Sequence, residues 1–448
     1  MNDASRLSPT PVAKHWTPRS DDRAALIEAL RTELRDAASA GRSVVVGTAR
    51  HSMGAQSLPK DGTAITFQTP KLEADTARGL YRVDSGMRWY EVIATLDPLG
   101  FSPAVMQSNA DFGVGSTFSV NAHGWPVPHG PFGSTVRALR LMLADGTVVE
   151  CSREKEPELF AHAMGGYGLF GIIIDLDVEM VRNILVQPRY ERMQADDFGA
   201  AFAKAVVQPD VLMAYGRLNV ARKTLFEEAL MVTYRAVSQQ PEKLPLATTS
   251  NLMTGVSRDI YRAQVGNELA KKARWIAETA VNPKLGSGIA TRNTLMNEPV
   301  RNLASGDARR TDILHEYFIP ADALAKFLAS CRQIIPPAHA EFLNVTLRYV
   351  AADSTSVLAF APAPRIALVM SFSQEISPEG EADMITLTEA LIDAAIAAGG
   401  AFYLPYRLHA RRDQVAAAYP QAAAFAAKKR AYDPKLLFRH AMWDSYFA

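Results

Sequence analysis

The stretch from Phe112 to Val181 restricts the possible folds more than any other part of the chain. It opens with Gly113-Val-Gly-Ser-Thr-Phe-Ser-Val-Asn-Ala-His-Gly124, small and polar residues without helical or strand periodicity. Val136–Glu150 follows, with Asp145-Gly146 set between two apolar-rich runs, a strong hairpin signal. The stretch closes on Glu156-Pro-Glu-Leu-Phe160 and Gly165-Gly-Tyr-Gly-Leu-Phe-Gly-Ile-Ile-Ile174. Small residues at this density let the backbone approach a flat ligand and offer it N–H donors. A planar, polyanionic ligand is expected here.

Gly166-Tyr-Gly168-Leu-Phe-Gly171 spells GxGxxG, yet a dinucleotide fingerprint must follow a strand and open a helix. Here the order is reversed. Pro157–Ala163 reads as a short helix and Gly171–Val178 as the strand after it, so a Rossmann reading is set aside.

A chain of 448 residues suggests two domains, and 48% hydrophobic with 21% charged residues fits a globular protein with a substantial core. The formal net charge of +1 gives no reason to expect nucleic acid or an anionic membrane as partner. Cys151 and Cys331 are the only cysteines and lack metal-ligand spacing. No apolar run approaches membrane-spanning length and Met1–Lys14 has no signal-peptide core, so a cytoplasmic protein is expected. His123 and His129 lie close in sequence, but no third ligand accompanies them and no metal is expected.

Residues 1–15 read as a loose tail. Ser20-Asp-Asp22 caps a helix with Leu26, Ile27, Leu30 and Leu34 on one face, ended by Gly41. Ser43–Val46 is a short buried strand that delivers the chain into Gly47-Thr-Ala-Arg-His-Ser-Met-Gly-Ala-Gln56. The backbone amides of this second glycine-bounded loop, with Arg50 and Ser52, suit a pyrophosphate; taken alone, the loop is equally a surface turn.

Arg50-His-Ser-Met-Gly-Ala-Gln56 resembles the cofactor loop of the vanillyl-alcohol-oxidase, or PCMH-type, flavoproteins. Further blocks resemble the same superfamily in the same order: Val114–Gly124, Leu143–Ser152, Pro157–Phe160 leading to Gly165–Ile173, and Tyr432-Asp-Pro-Lys-Leu-Leu-Phe438. The resemblance implies an α+β fold with a two-subdomain FAD-binding domain and an antiparallel-sheet cap over the isoalloxazine ring. The expected division is a tail at 1–15, the FAD domain at 16–185, the cap at 186–415, and a segment at 416–448 returning to the FAD domain. The cofactor-binding residues it implies are Gly47, Thr48, Ala49, Arg50, His51, Ser52, Met53, Gly54 and Gln56 of the first loop. Asp111, Ser116, Thr117, Val120, Asn121, His123, Gly124, Gly171 and Ile173 are expected along the flavin. In the family, a histidine placed like His51 often carries a covalent bond to the flavin, so FAD covalent through His51 is expected. Two departures stand out: Arg50 replaces the usual glycine, and residues 112–131 hold no cysteine, which excludes a second covalent link.

After Val181 the texture changes. Val211–Leu218, Ala229–Tyr234, Leu343–Tyr349 and Ile366–Phe372 are β-rich or alternating, as an antiparallel sheet requires. Val256–Thr279 and Glu379–Ala398 carry helical patterns, and Pro283–Gly288 reads as a flexible link. Gly399-Gly-Ala-Phe-Tyr-Leu-Pro-Tyr-Arg-Leu-His409 is similar to the segment of decaprenylphosphoryl-ribose oxidases that reaches the flavin, with Tyr406 where that family has a lysine. Tyr406, Arg407 and His409 are the catalytic candidates, although strand alternation sends Tyr406 and Arg407 to opposite faces. Glu316, Tyr317, Asn344 and Arg348 are substrate-binding candidates, with ordinary sheet surface as the competing reading. Met253 and Met296 read as core.

The expected activity is FAD-dependent oxidation of an alcohol carbon in a polar organic substrate such as a sugar or polyol. Hydride passes to the flavin, and dioxygen or another acceptor reoxidises it. Amine oxidation, a part in a sugar-epimerising system and a binding protein with a decayed flavin site are the alternatives. The sequence sets no oligomeric state.

Overall fold

A computed structural model describes residues 1–18, 22–68, 71–249, 261–284, 288–299 and 307–448. Ser20, Met253, the start of the helical pattern at Val256 and part of the link at 283–288 lie outside the described residues.

Among the described residues the strands form three sheets. The first is small and parallel, with β1 (Lys14–Trp16), β2 (Val44–Gly47) and β3 (Thr63–Thr66) in the order β1-β3-β2. The helix Arg23–Ser39 connects β1 to β2; its N-cap is Asp22, whose side chain accepts from the Ala24 N–H. Leu26, Leu30 and Leu34 pack with Val44, Ile65 and Phe67 into a compact core. Leu437 and Phe438, near the end of the chain, belong to that same core. There the Val44 N–H donates to the Leu437 carbonyl at 2.7 Å.

The second sheet comprises β4 (Leu72–Asp75), β5 (Leu80–Asp84), β6 (Phe101–Pro103), β7 (Val136–Met142), β8 (Val148–Ser152) and β9 (Ile172–Arg182). Its order is β4-β5-β9-β7-β8, with β6 also pairing β9. Asp145-Gly146 turns β7 into β8, as the hairpin signal predicts. Pro157–Ala163 is a helix and β9 follows Gly171, the reversed order that set the Rossmann reading aside. β9 separates two cores: Ile172 and Ile174 face the Arg23–Ser39 helix, while Ile173 and Leu176 join the main core. Val114–Ser119 forms a short helix that the small-residue composition had concealed.

The third sheet has eight strands, every recorded pairing antiparallel: β10 (Leu185–Gln194), β11 (Val211–Leu218), β12 (Glu228–Ala236), β13 (Ala290–Thr291), β14 (Arg310–Ile319), β15 (Glu341–Val350), β16 (Arg365–Glu375) and β17 (Ala401–Phe402). The order is β13-β10-β12-β11-β15-β16-β14-β17. Helices Phe198–Val206, Leu324–Ile334 and Pro378–Ala397 cover one face. Ile313, Tyr317, Leu347, Leu368, Met370 and Phe372 are buried there. By the twofold alternation of strands, Glu316, Asn344, Thr346, Arg348, Tyr215 and Arg217 share the opposite face.

The first fifteen residues depart from the tail reading. Asp3 and Ser5 are buried. The Asp3 carboxylate accepts from the Ala55 N–H at 2.8 Å, and the Ser5 carbonyl accepts from Thr311 Oγ1 at 2.6 Å. The segment is docked because its polar atoms satisfy donors on the 47–56 loop and on β14.

Candidate active site

The two glycine-bounded loops meet. Phe112 lies against the His51 ring with centroids 4.7 Å apart. At Gly113 the backbone runs so close to Thr48 that a Cβ would sit 2.5 Å from its Oγ1. Beyond β2 the chain turns through left-handed backbone at Arg50 (φ 54°) and Ala55 (φ 57°). Arg50 does not reach outward. Its guanidinium folds beneath the loop, donating to the Ile65 carbonyl at 2.8 Å, to Thr66 Oγ1 at 3.1 Å and to the Ser57 carbonyl. Burial lowers its pKa to about 10. Ser52 Oγ is likewise turned inward, 2.9 Å from Ser57 Oγ. The N–H groups of Met53, Gly54 and Ala55 are also taken, by the Pro405 carbonyl, Gln56 and Asp3, so any pyrophosphate here is met by backbone N–H groups earlier in the loop.

A third segment closes the site. Gln56 Nε2 donates to the carbonyls of Leu404 at 3.0 Å and Tyr406 at 2.8 Å, while its Oε1 accepts from the Gly54 N–H. Gly54 itself leaves no space for a side chain: a Cβ would lie 2.6 Å from the Tyr406 carbonyl. With its backbone bound in this way, Tyr406 extends its hydroxyl to Glu316 Oε2 at 3.1 Å. Glu316 Oε1 pairs with His123 Nε2, and both side chains are only 3% exposed. Burial, reinforced by Glu316, raises the Tyr406 pKa well above its ordinary value, so the phenol keeps its proton and donates.

The structure thus brings Tyr406, Glu316 and His123 together and draws Arg407 and His409 away. Arg407 pairs with Glu381 and donates to Ser8 Oγ at 2.7 Å and the Met53 carbonyl at 3.2 Å. His409 Nε2 lies 2.9 Å from Glu381 Oε1, and its Nδ1 lies 3.1 Å from Thr388 Oγ1. Tyr317 points into the helix-covered core. Asn344 Oδ1 accepts from Arg217 at 3.1 Å and from Arg274 at 3.0 Å. Sequence reasoning missed Arg217, whose alternation with the buried Gly216 and Leu218 on β11 was the available signal.

Among the implied flavin-lining residues, several side chains are committed internally. Thr117 Oγ1 donates to the Gly113 carbonyl and accepts from Trp89 Nε1 at 2.8 Å. Asn121 bridges Asp353 and the Gly133 N–H, and the Val120 carbonyl accepts from Tyr403. Ile173 is buried on β9, and the Asp111 carbonyl accepts from Arg88. Among the described residues, Ser85 Oγ, Gln107 Nε2 and His123 Nδ1 are buried without a hydrogen-bond partner. Ser85 backs onto Gly115, and the other two belong to or adjoin the second loop. Orphaned polar atoms beside two N–H-rich loops fit a planar cofactor with hydrogen-bonding edges and a phosphate tail. No cluster of three or more metal-ligating side chains occurs among the described residues.

Comparison with known proteins agrees with this chemistry. Residues 23–152 match a family model described as an FAD binding domain. Cytokinin dehydrogenase 8 of Oryza sativa subsp. indica is 32% identical over 37% of this chain and 34% of its own. L-gulonolactone oxidase of Mus musculus is 29% identical over 25% of each chain. The chain spans about a fifth to two fifths of the length of such curated relatives. The crystal structure of 6-hydroxy-D-nicotine oxidase from Arthrobacter nicotinovorans has the same fold, with a TM-score of 0.66 and 15% identity over 99% of this chain and 93% of that one. Residues 23–152 are therefore an FAD-binding domain.

Proposed function

We propose that the protein is an FAD-dependent oxidoreductase that oxidises an alcohol carbon of a polar organic substrate, with Glu316 accepting the hydroxyl proton. The observation that carries this reading is the buried Glu316 carboxylate, held by His123 on one oxygen and by Tyr406 on the other. FAD, when bound, supplies a two-electron acceptor for the hydride that leaves the substrate carbon. Glu316 takes the proton as the C–O bond becomes a carbonyl. Tyr406, a donor that keeps its own proton, orients the carboxylate. His123 links it to the second loop. The 47–56 loop is assigned to the pyrophosphate, the face of β11, β14, β15 and β16 opposite the helices to the substrate, and residues 416–448 to the FAD domain.

The names of the relatives, a lactone oxidase, a cytokinin dehydrogenase and a nicotine oxidase, have oxidation in common and differ in substrate. Amine oxidation is therefore the second reading, with dioxygen or another acceptor taking the electrons in either case. Anaerobic mixing of the holoprotein with polyols, lactones, hydroxy acids and amines tests both, read as loss of flavin absorbance. Glu316→Gln is expected to slow bleaching by an alcohol about 100-fold or more with FAD content unchanged. Bleaching by amines alone would overturn the alcohol reading, and a protein that ignores FAD would overturn both.

A further inference from the structure

On the substrate face of the third sheet, Val369 of β16 lies between Glu316 of β14 and Thr346 of β15, and the fully buried Ala367 lies between Phe318 and Arg348. Arg348 is part-buried and, among the described residues, has no hydrogen bond or salt bridge. Neighbouring cations are committed: Arg217 to Asn344 and Thr346, and Arg274 to Glu278, Gln264 and Asn344. Burial, opposed by Glu316 and Tyr406 and reinforced by Arg217, holds the Arg348 pKa below its ordinary value. A guanidinium remains charged even so, and Glu316 acts on it only at a distance, so its planar donors are left without a direct acceptor.

An aromatic cluster stands on the neighbouring strand, with the Arg217 guanidinium 5.5 Å from the Tyr215 ring centroid. Tyr215 lies on β11, which pairs with β15 through Gly216–Leu347 and Arg217–Thr346, so its register position is beside Arg348. Trp125 packs edge-on to Tyr215 at 5.4 Å and to Tyr234 at 5.9 Å. A flat ligand body therefore has a wall next to the unpaired charge.

We propose that Arg348 receives a carboxylate, making the substrate a hydroxy acid with a flat, largely apolar body. This deepens the assignment of the substrate face and rests on it, but not on Glu316 being the base. The carboxylate supplies the planar, bidentate acceptor that a guanidinium matches best. β16 alone separates Arg348 from Glu316, so the hydroxyl-bearing carbon lies toward Glu316, across that strand from the anchored end.

Titration of the holoprotein with benzoate, followed through the visible flavin spectrum, tests this without turnover. Benzamide, which also lacks an oxidisable carbon, is the neutral control. Benzoate should perturb the spectrum saturably, with benzamide at least about tenfold weaker. Arg348→Met should weaken benzoate by more than about tenfold at unchanged FAD content, and Arg348→Lys should restore part of the loss. Equal binding of the two probes to the wild-type holoprotein, or undiminished benzoate binding by Arg348→Met, would overturn the proposal. Should Arg348→Met fail to fold, the comparison of probes on the wild-type protein still decides. Benzoate has no oxidisable carbon, so this result is independent of the base: Glu316→Gln would still bind it.

Discussion

Gln56 holds Tyr406 by its backbone. A single carboxamide spans 348 and 350 residues of sequence to reach the carbonyls of Leu404 and Tyr406, and its oxygen closes the turn at Gly54. The loop assigned to pyrophosphate and the residue that steadies Glu316 are therefore one mechanical unit. Gln56→Leu removes the shared amide and leaves two buried carbonyls without donors. The expected cost is about 2 kcal/mol or more in thermal or denaturant unfolding. Slower flavin reduction should accompany it, since the phenol of Tyr406 loses its fixed origin. A stable variant with normal reduction kinetics would show that the two segments are independent.

Tyr406→Phe separates orientation from proton transfer. The phenol holds its proton throughout the working range, so its loss removes a donor to Glu316 and no titrating base. Reduction by substrate should slow by roughly tenfold, the worth of one hydrogen bond to a charged group. FAD content should stay constant, and the pH–rate profile should keep its shape. A pH profile that loses a limb would make Tyr406 the base; unchanged rates would remove it from the mechanism.

Acid should destabilise the protein through buried imidazoles. Burial lowers the pKa of His315 to about 3 and of His440 to about 4, against an ordinary value of 6.5. Between those values the unfolded chain binds protons that the folded chain refuses. Stability is therefore full above about pH 6.5 and falls as pH drops toward 4, by on the order of 2 kcal/mol per histidine. Melting temperatures measured from pH 7 to pH 4.5 should show this slope, and His440→Gln should flatten part of it. An unchanged slope in that variant would remove His440 as a source.

The N-terminal segment should matter for the cofactor. Asp3 accepts from the Ala55 N–H, Ser8 from Arg407, and Ser5 from Thr311. Deleting residues 1–12 releases three ties on the loop assigned to pyrophosphate and on the segment and strand beside it. The purified deletion protein should retain less FAD than the full chain. Equal FAD occupancy would show that the loop holds its shape without them.

Which of these relationships the sequence disclosed follows from their range. The Asp145-Gly146 hairpin, the reversed GxGxxG and the alternating strands depend on neighbours, so composition and period revealed them. The pairing of His123 with Glu316 joins residues 193 apart, and neither residue advertises the other. The alternation that set Tyr406 apart from Arg407 presumed a strand, whereas β17 ends at Phe402 and both residues lie beyond it. Packing separates them, and Glu381 on the Pro378–Ala397 helix collects both Arg407 and His409. Arg50 breaks a glycine pattern in one dimension. In three it is the clamp that ties the loop to β3. The tail was misread because short polar stretches look alike whether solvated or docked, and the difference lies in the buried donors they meet.

His51 carries the sharpest prediction. Its ring packs on Phe112 and, among the described residues, makes no hydrogen bond. Burial, then the charge of Arg88, lower its pKa, against the opposing pull of Asp111. An unprotonated ring nitrogen is what attack on an electrophilic flavin methyl group requires, and the lowered pKa supplies it at neutral pH. Arg50 does not obstruct the approach, because its guanidinium lies beneath the loop on β3. We therefore expect a covalent bond from His51 to FAD. Acid-precipitated protein should stay yellow and fluorescent, and His51→Ala should bind FAD but release it on denaturation. Complete loss of flavin from precipitated wild-type protein would show that His51 only packs beside a dissociable cofactor.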